Sequence, residues 1–214
     1  MNNDKTWVIA IGRQFGSGGR EIGRLVANLL DIAYYDKELL HEAAQSSGMA
    51  AEVFEAADER SPRFFSNLWS FNIGYNSGAY MIGDTPLRND RVYQAQGEVM
   101  TMLADRGPCV IVGRTADYLL RKHCRVISVF VHADINDRVA RIVARGDCET
   151  ADQAHALAEK KNRLRAEYYN FYTDGQWGMA STYDLTVNTS RLGIEGTARL
   201  IADYASKLLA QPQE

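Results

Sequence analysis

The stretch Gly12-Arg13-Gln14-Phe15-Gly16-Ser17-Gly18-Gly19-Arg20-Glu21-Ile22-Gly23, entered from the apolar run Trp7-Val8-Ile9-Ala10-Ile11, constrains the fold more than any other part of the chain. A short continuous apolar run suits a strand buried on both faces. Beyond the glycines, Ile22, Leu25, Val26, Leu29 and Leu30 recur at helical spacing, so a buried strand passes through a tight turn into an amphipathic helix. Glycine allows successive backbone N–H groups to converge on one point, and the helix start adds the positive end of its dipole. Together these make an anion site suited to phosphate. Gly16, Ser17, Gly18 and Gly19 are the candidate phosphate-cradling residues, with Arg13 and Arg20 as flanking cations.

Two nucleotide patterns compete for this stretch, and each is imperfect. The dinucleotide pattern G-x-G-x-x-G begins at Gly16 and Gly18 but ends on Glu21. Asp36 stands near the place of the acidic residue expected about twenty positions later. The Walker pattern G-x-x-x-x-G-K-[ST], with its second glycine at Gly18, puts Gly19 at the lysine position and Arg20 at the Ser/Thr position. A tight turn with a purely structural role is the third reading.

Downstream, the pattern alternates short apolar runs with helical periodicity. Ile32–Tyr35 reads as a second strand, with Asp36 placed to cap a helix over about 37–47, and a further helix covers about 50–59. Residues 61–90 interleave Phe64, Phe65, Trp69, Phe71, Tyr75 and Tyr80 with Ser, Asn and Gly, and are read as part of an inserted substrate-side region. A helix at about 90–105 precedes a strand at Cys109–Val112 that ends on Gly113-Arg114, and another helix begins near Thr115. Val126–Val131 is a strand, followed by helices at Asp134 to about Arg145 and at about Ala151 to Tyr172. Tyr183–Val187 reads as a last strand and 193–209 as a closing helix. Such alternation implies an α/β fold whose parallel sheet is covered on both faces.

At 214 residues the chain accommodates one α/β domain with a full core. Its net charge of −3 gives no global attraction to nucleic acid or to anionic membrane, so neither is expected as a partner. No apolar run approaches the ~18 residues of a membrane span, and the N-terminal residues carry no signal-peptide pattern. Cys109, Cys124 and Cys148 are odd in number and lack a Cys-x-x-Cys spacing, which suits reduced, buried thiols and a cytoplasmic location. His41, His123, His132 and His155 show no metal-ligand spacing, and no metal-binding residue is assigned. No Gly-x-Ser-x-Gly elbow is present.

The ordered segments Val8–Gly23, Tyr34–Leu40, Val110–Arg114, Arg165–Tyr169 and Tyr183–Ser190 together resemble the cytidylate kinase-like family, a branch of the P-loop nucleoside monophosphate kinases. The resemblance implies a three-layer domain over 1–214, built on a five-stranded parallel sheet. Its core would cover about 6–40, 106–146 and 182–210, with a helical acceptor-side insertion at about 41–95 and a helical lid at about 147–175. It also implies ATP and Mg²⁺ as cofactors, with nucleotides as the small-molecule partners. The oligomeric state stays open. Carried over by motif, Asp36 and Arg114 are the acceptor-binding residues, and the plainer role for Asp36 is the helix cap. The family's cytidylate kinases carry an Asp where Thr115 stands and a lysine in the loop that this branch lacks. Asn162 occupies a place where the branch commonly has Asp.

Arg138, Arg141 and Arg145 share one helix face, followed by Lys160, Lys161, Arg163 and Arg165. They form either a solvated basic surface or a lid whose arginines close over a transferring phosphoryl group. Arg13, Arg20, Arg163 and Arg165 are the catalytic candidates. Tyr168, Tyr169, Phe171 and Tyr172 are either packing residues or a stacking platform for a base, while Asp36, Asp117 and Asp134 are unranked carboxylates for metal or substrate. The expected function is phosphoryl transfer from ATP to a nucleoside monophosphate or similar acceptor, with CMP and dCMP as candidates. The alternatives are a nucleotide-binding module without catalysis and a dinucleotide-dependent oxidoreductase.

Overall fold

The computed structural model describes residues 6–46, 86–113 and 115–211. The readings of 50–59 as a helix, of most of 61–90 as an insertion and of Arg114 as an acceptor ligand lie outside these residues. The described elements run β1 (Trp7–Arg13), α1 (Gly19–Leu30), β2 (Ala33–Tyr35), α2 (Lys37–Ser46), α3 (Pro86–Asp105), β3 (Cys109–Val112), α4 (Ala116–Leu120), β4 (Arg125–His132), α5 (Ile135–Ala144), α6 (Ala151–Tyr172), β5 (Leu185–Asn188) and α7 (Thr189–Leu209). A 3₁₀ turn at Ala180–Thr182 precedes β5.

The five strands pair in parallel in the order β2-β3-β1-β4-β5. β1 is central and its alternate side chains feed two different cores. Val8 and Ala10 face Leu40, Met100, Leu103 and Leu120, whereas Ile9 and Ile11 face Ile22, Val26, Ala198 and Ile201. This period-2 division explains why the run is apolar throughout, since no strand position faces water. Ile9, Ile11, Ile111 and Ile127 are all 1% exposed or less, and each such side chain stabilises the fold by about 1.5–3 kcal/mol relative to solvent exposure. With α1 and α7 on one face and α2, α3 and α4 on the other, the domain has three layers.

α5 and α6 pack on each other as a helical hairpin beyond the C-terminal edge of the sheet. α6 starts with a capping box in which the Thr150 hydroxyl accepts the Gln153 N–H and the Gln153 side chain accepts the Thr150 N–H. Its observed limits coincide with those read from its charged periodicity. β5 begins later than the apolar pattern suggests, because Asp184 folds back onto β4: its carboxylate accepts the Ser128 N–H at 2.7 Å and its own N–H donates to the Ser128 carbonyl. The closing helix begins earlier, at Thr189, and Gly193 breaks it into two parts with φ +66° and ψ −178°. No helix among the described residues is long and apolar enough to cross a membrane.

Candidate functional site

β1 delivers the chain to the C-terminal edge of the sheet, and the glycine-rich turn begins there. Gly16 and Gly18 adopt φ +82° and +83°, the left-handed region that side-chain-bearing residues rarely enter. A Cβ at Gly16 would stand 2.8 Å from the Arg138 carbonyl oxygen, and one at Gly18 would run into Ile194. The turn is therefore enclosed by α5 on one side and α7 on the other. Ser17 is fully buried, its hydroxyl donating to the Gln14 carbonyl and its own carbonyl accepting from Thr189. Its side chain is thus engaged within the turn.

The main chain of the turn divides into two sets of donors. The Gln14 N–H donates to Val131 and the Phe15 N–H to Asn162, which fastens the first half of the turn to β4 and α6. The N–H groups of Gly16, Gly18 and Gly19 have no acceptor among the described residues. They lie at the start of α1, where the macrodipole is positive, an arrangement of donors that makes the second half of the turn a candidate anion site.

The sequence-predicted basic residues separate clearly. Phe15 inserts between α5 and α6 against Ile142, Ala154 and Ala158, with the guanidinium groups of Arg145 and Arg165 5.3 and 5.5 Å from its ring centroid. Arg141 donates to the Gly16 carbonyl and Arg165 to the Arg13 carbonyl, at 3.3 and 2.9 Å. Arg138 is buried, its Nε bonded to the Ala133 carbonyl. This face of α5 is thus largely engaged with the turn. Arg163 is exposed and Arg20 turns outward to Asp36 and Glu38, at 3.6 and 3.2 Å.

Asp36 caps α2: one carboxylate oxygen accepts the Glu38 and Leu39 N–H groups and the other accepts the Tyr34 hydroxyl. Tyr34 ionises well above the usual range for a phenol, because burial and then the neighbouring Asp36 carboxylate oppose its charge. Asp134 is held by Asn188 and Arg191.

Beside the turn lies a cavity of about 100 Å³, lined by β1 at Ala10–Arg13, by Gly113 after β3, by Thr115 and Asp117 at the start of α4, and by one face of α6. The α6 face presents Lys161, Leu164, Arg165, Tyr168 and Tyr169. Among the described residues, four cations line this space, namely Arg13, Lys37, Lys161 and Arg165, against one lining carboxylate, Asp117. Lys161 is only 7% exposed. Burial, then the charges of Arg165, Lys160 and Lys37, pull its ammonium down to about 8. Asp117 accepts the Tyr169 hydroxyl, and burial raises its carboxyl above the usual range despite that bond. Thr115, buried with φ +54°, donates its hydroxyl to Tyr93.

Of the candidates taken from the sequence, Arg13 and Arg165 reach the cavity, while Arg20, Arg163 and Asp36 are not among its lining residues. Gly16, Ser17, Gly18 and Gly19 form the adjoining turn. Lys37 is not among the sequence candidates, Lys161 enters them only within the basic run of α6, and Asp117 stands there unranked beside Asp36 and Asp134. Helical geometry held a clue to Lys161. It shares a face with Arg165, Tyr168 and Tyr169, whereas Arg163 lies about 200° around the helix from it. Tyr168 and Tyr172 pack with Tyr93, and Phe171 is exposed. Among the described residues no group of three or more His, Cys, Asp or Glu stands together to hold a metal ion.

A cytidylate kinase from Pyrobaculum aerophilum is 24% identical over 204 residues, covering 95% of each chain, and one from Staphylothermus marinus is 23% identical over 210 residues, covering 95% of this chain and 99% of the relative. Among solved structures, an uncharacterized protein from Eubacterium ventriosum superposes with a TM-score of 0.68 at 24% identity, covering 93% of this chain and 98% of its own. Shikimate kinase from Acinetobacter baumannii, solved in complex with shikimate, superposes with a TM-score of 0.53 at 12% identity, covering 97% and 96%. These likenesses establish the α/β kinase fold. The model of the cytidylate kinase-like family matches residues 8–191, and the chain belongs to that family.

Proposed function

We propose that the protein transfers the γ-phosphoryl group of ATP, with Mg²⁺, to a nucleoside monophosphate or a similarly small acceptor, CMP and dCMP being the first candidates. The observation that carries this reading is a single residue shared by two sites. The Arg13 side chain runs from the phosphate-type turn at Gly19 to the cation-lined cavity at Gly113. Phosphoryl transfer asks a protein mainly to align donor and acceptor and to neutralise spreading charge. The N–H groups of Gly16, Gly18 and Gly19, shaped by Ser17, receive the donor phosphates. Arg13, Lys37, Lys161 and Arg165 hold the acceptor's anionic group and the group in flight.

Asp117, the described carboxylate on the cavity wall, would face a hydrated Mg²⁺ brought in with the nucleotide, which would offset phosphate charge, or an acceptor hydroxyl or amine. Asp36 supports the acceptor side indirectly, by capping α2 and so positioning Lys37. Arg114 adds an acceptor contact by family resemblance, and Arg20 and Arg163 supply peripheral charge. The family membership and the cytidylate kinase relatives support this assignment. A coupled ADP-release assay across a nucleotide panel, paired with thermal-shift measurement, tests it. ATP-dependent phosphorylation of at least one nucleoside monophosphate is expected; no turnover and no nucleotide-induced shift across the panel would sink it.

A second reading, nucleotide binding without catalysis, is motivated by Gly19 standing where Walker-type loops carry lysine. Retained ATP binding with no product in single-turnover assays would select it.

A further inference from the structure

We propose that Arg13 replaces the missing loop lysine, and that Gly19 is glycine because the Arg13 side chain occupies the space a side chain there would need. A Cβ at Gly19 would stand 2.7 Å from the Arg13 Cβ and 2.9 Å from its Cγ, closer than real Cβ atoms come. At the other end, a Cβ at Gly113 would run into the Arg13 guanidinium. Two glycines from distant parts of the chain thus leave a channel matched to one arginine, with its stem over the helix start and its head at the end of β3.

The arginine's main chain is held as firmly as its side chain is threaded. Arg13 is the last residue of β1, in register with Val131 of β4, and its carbonyl accepts the Arg165 guanidinium. Lysine at position 19 would approach a phosphoryl group from the helix. Arg13 approaches the same seam from the strand, with a planar head that is always charged and able to grip two phosphate oxygens at once. Lysine at 19 and arginine at 13 compete for one volume, so the loop carries one or the other. Arg13 stays protonated throughout and forms no bond to phosphorus; its contribution is charge and alignment.

The inference rests on the phosphotransferase reading, and the experiment separates the two. Calorimetric titration of the full chain with Mg-ATP and with inorganic tripolyphosphate is expected to show binding of both. Arg13→Ala is expected to weaken both about 10- to 100-fold, as loss of a charge-assisted contact does, with thermal unfolding showing that the fold is retained. Gly19→Ala, which displaces the arginine, is expected to weaken tripolyphosphate binding about tenfold. In the Arg13→Gly background, where the clashing Cβ is gone, it should add nothing further, since both changes act on one contact. Gly19→Lys alone should not improve binding, whereas Arg13→Gly with Gly19→Lys should recover most of the loss. If the wild type binds neither probe, the phosphotransferase reading and the inference fall together. If it binds both but Arg13→Ala binds equally well, or the two losses simply add, the inference alone is overturned.

Discussion

The Asn162 side-chain oxygen accepts the Phe15 backbone N–H at 2.8 Å, tying the long helix α6 directly to the main chain of the phosphate-type turn. Arg165, one turn further along α6, donates to the carbonyl of Arg13 in the same segment. The helix that lines the cavity is therefore registered against the turn through backbone atoms.

This contact requires only an acceptor at position 162. Asn162→Asp supplies one and is expected to change stability by no more than about 0.5 kcal/mol. Asn162→Ala leaves the Phe15 N–H without its partner and should cost about 1–3 kcal/mol. Urea denaturation of the two variants checks the pair. Equal loss in both would show that the amide group itself matters.

Two glycines of positive φ separate backbone strain from crowding. Gly146 has φ +75° with nothing near its would-be Cβ, whereas Gly16 has φ +82° with the Arg138 carbonyl at 2.8 Å. Gly146→Ala should therefore cost only the left-handed penalty of about 1–2 kcal/mol. Gly16→Ala should cost more and also weaken tripolyphosphate binding, because its N–H belongs to the anion site. Equilibrium unfolding and calorimetry on both variants test the order.

Lys161 makes anion binding sensitive to pH on the alkaline side. With its ammonium pulled down to about 8, tripolyphosphate affinity should fall as pH rises through that value. Asp147 opposes the shift, while Arg165, Lys160 and Lys37 reinforce the effect of burial. Stability of the ligand-free protein should move the opposite way. An unfolded lysine holds its proton to about pH 10.4, so above about 8 the unfolded chain binds more protons and this group favours folding as pH rises. Lys161→Met should lower affinity roughly tenfold near neutral pH and remove both dependences. Titrations at several pH values, with denaturation at each, provide the check.

Asp117 and Tyr169 join the end of β3 to α6 across the cavity. Burial raises the Asp117 carboxyl, and the Tyr169 hydroxyl works against that rise. Tyr169→Phe should raise it further and destabilise the fold by about 1–3 kcal/mol. The sign follows from linkage. A carboxyl raised above its unfolded value holds more protons in the native state, so stability falls as pH climbs from the ordinary carboxylate range toward the raised value. The deficit of the variant relative to wild type should therefore widen as pH climbs above the ordinary carboxylate value of about 4. Carboxyl titration by NMR, alongside urea denaturation, measures both effects.

Much of the fold was legible because its elements are written in local periodicity. The unbroken apolar run of β1, the helical spacing after the glycines and the charged helical stretch from Ala151 to Tyr172 each report a backbone conformation from a few neighbouring residues. The mismatches have tertiary causes: Asp184 is drawn out of β5 by its bonds to Ser128, and Gly193 divides a helix that side-chain spacing cannot bound. The basic residues were the least legible part of the site. Arg20, Arg163 and Arg165 look equivalent in the sequence, yet one pairs outward with Asp36 and Glu38, one faces solvent and one clasps the turn. Which charge faces a cavity depends on the rotation of α6 against β1, and packing around Phe15 sets that rotation. By itself the sequence determined a parallel α/β chain with a phosphate-type turn after its first strand, because strand, turn and helix each depend on adjacent residues. Only the tertiary structure decided that Arg13, Lys37, Lys161, Arg165 and Asp117 converge beside that turn, because their meeting requires elements far apart in the chain to pack in one orientation.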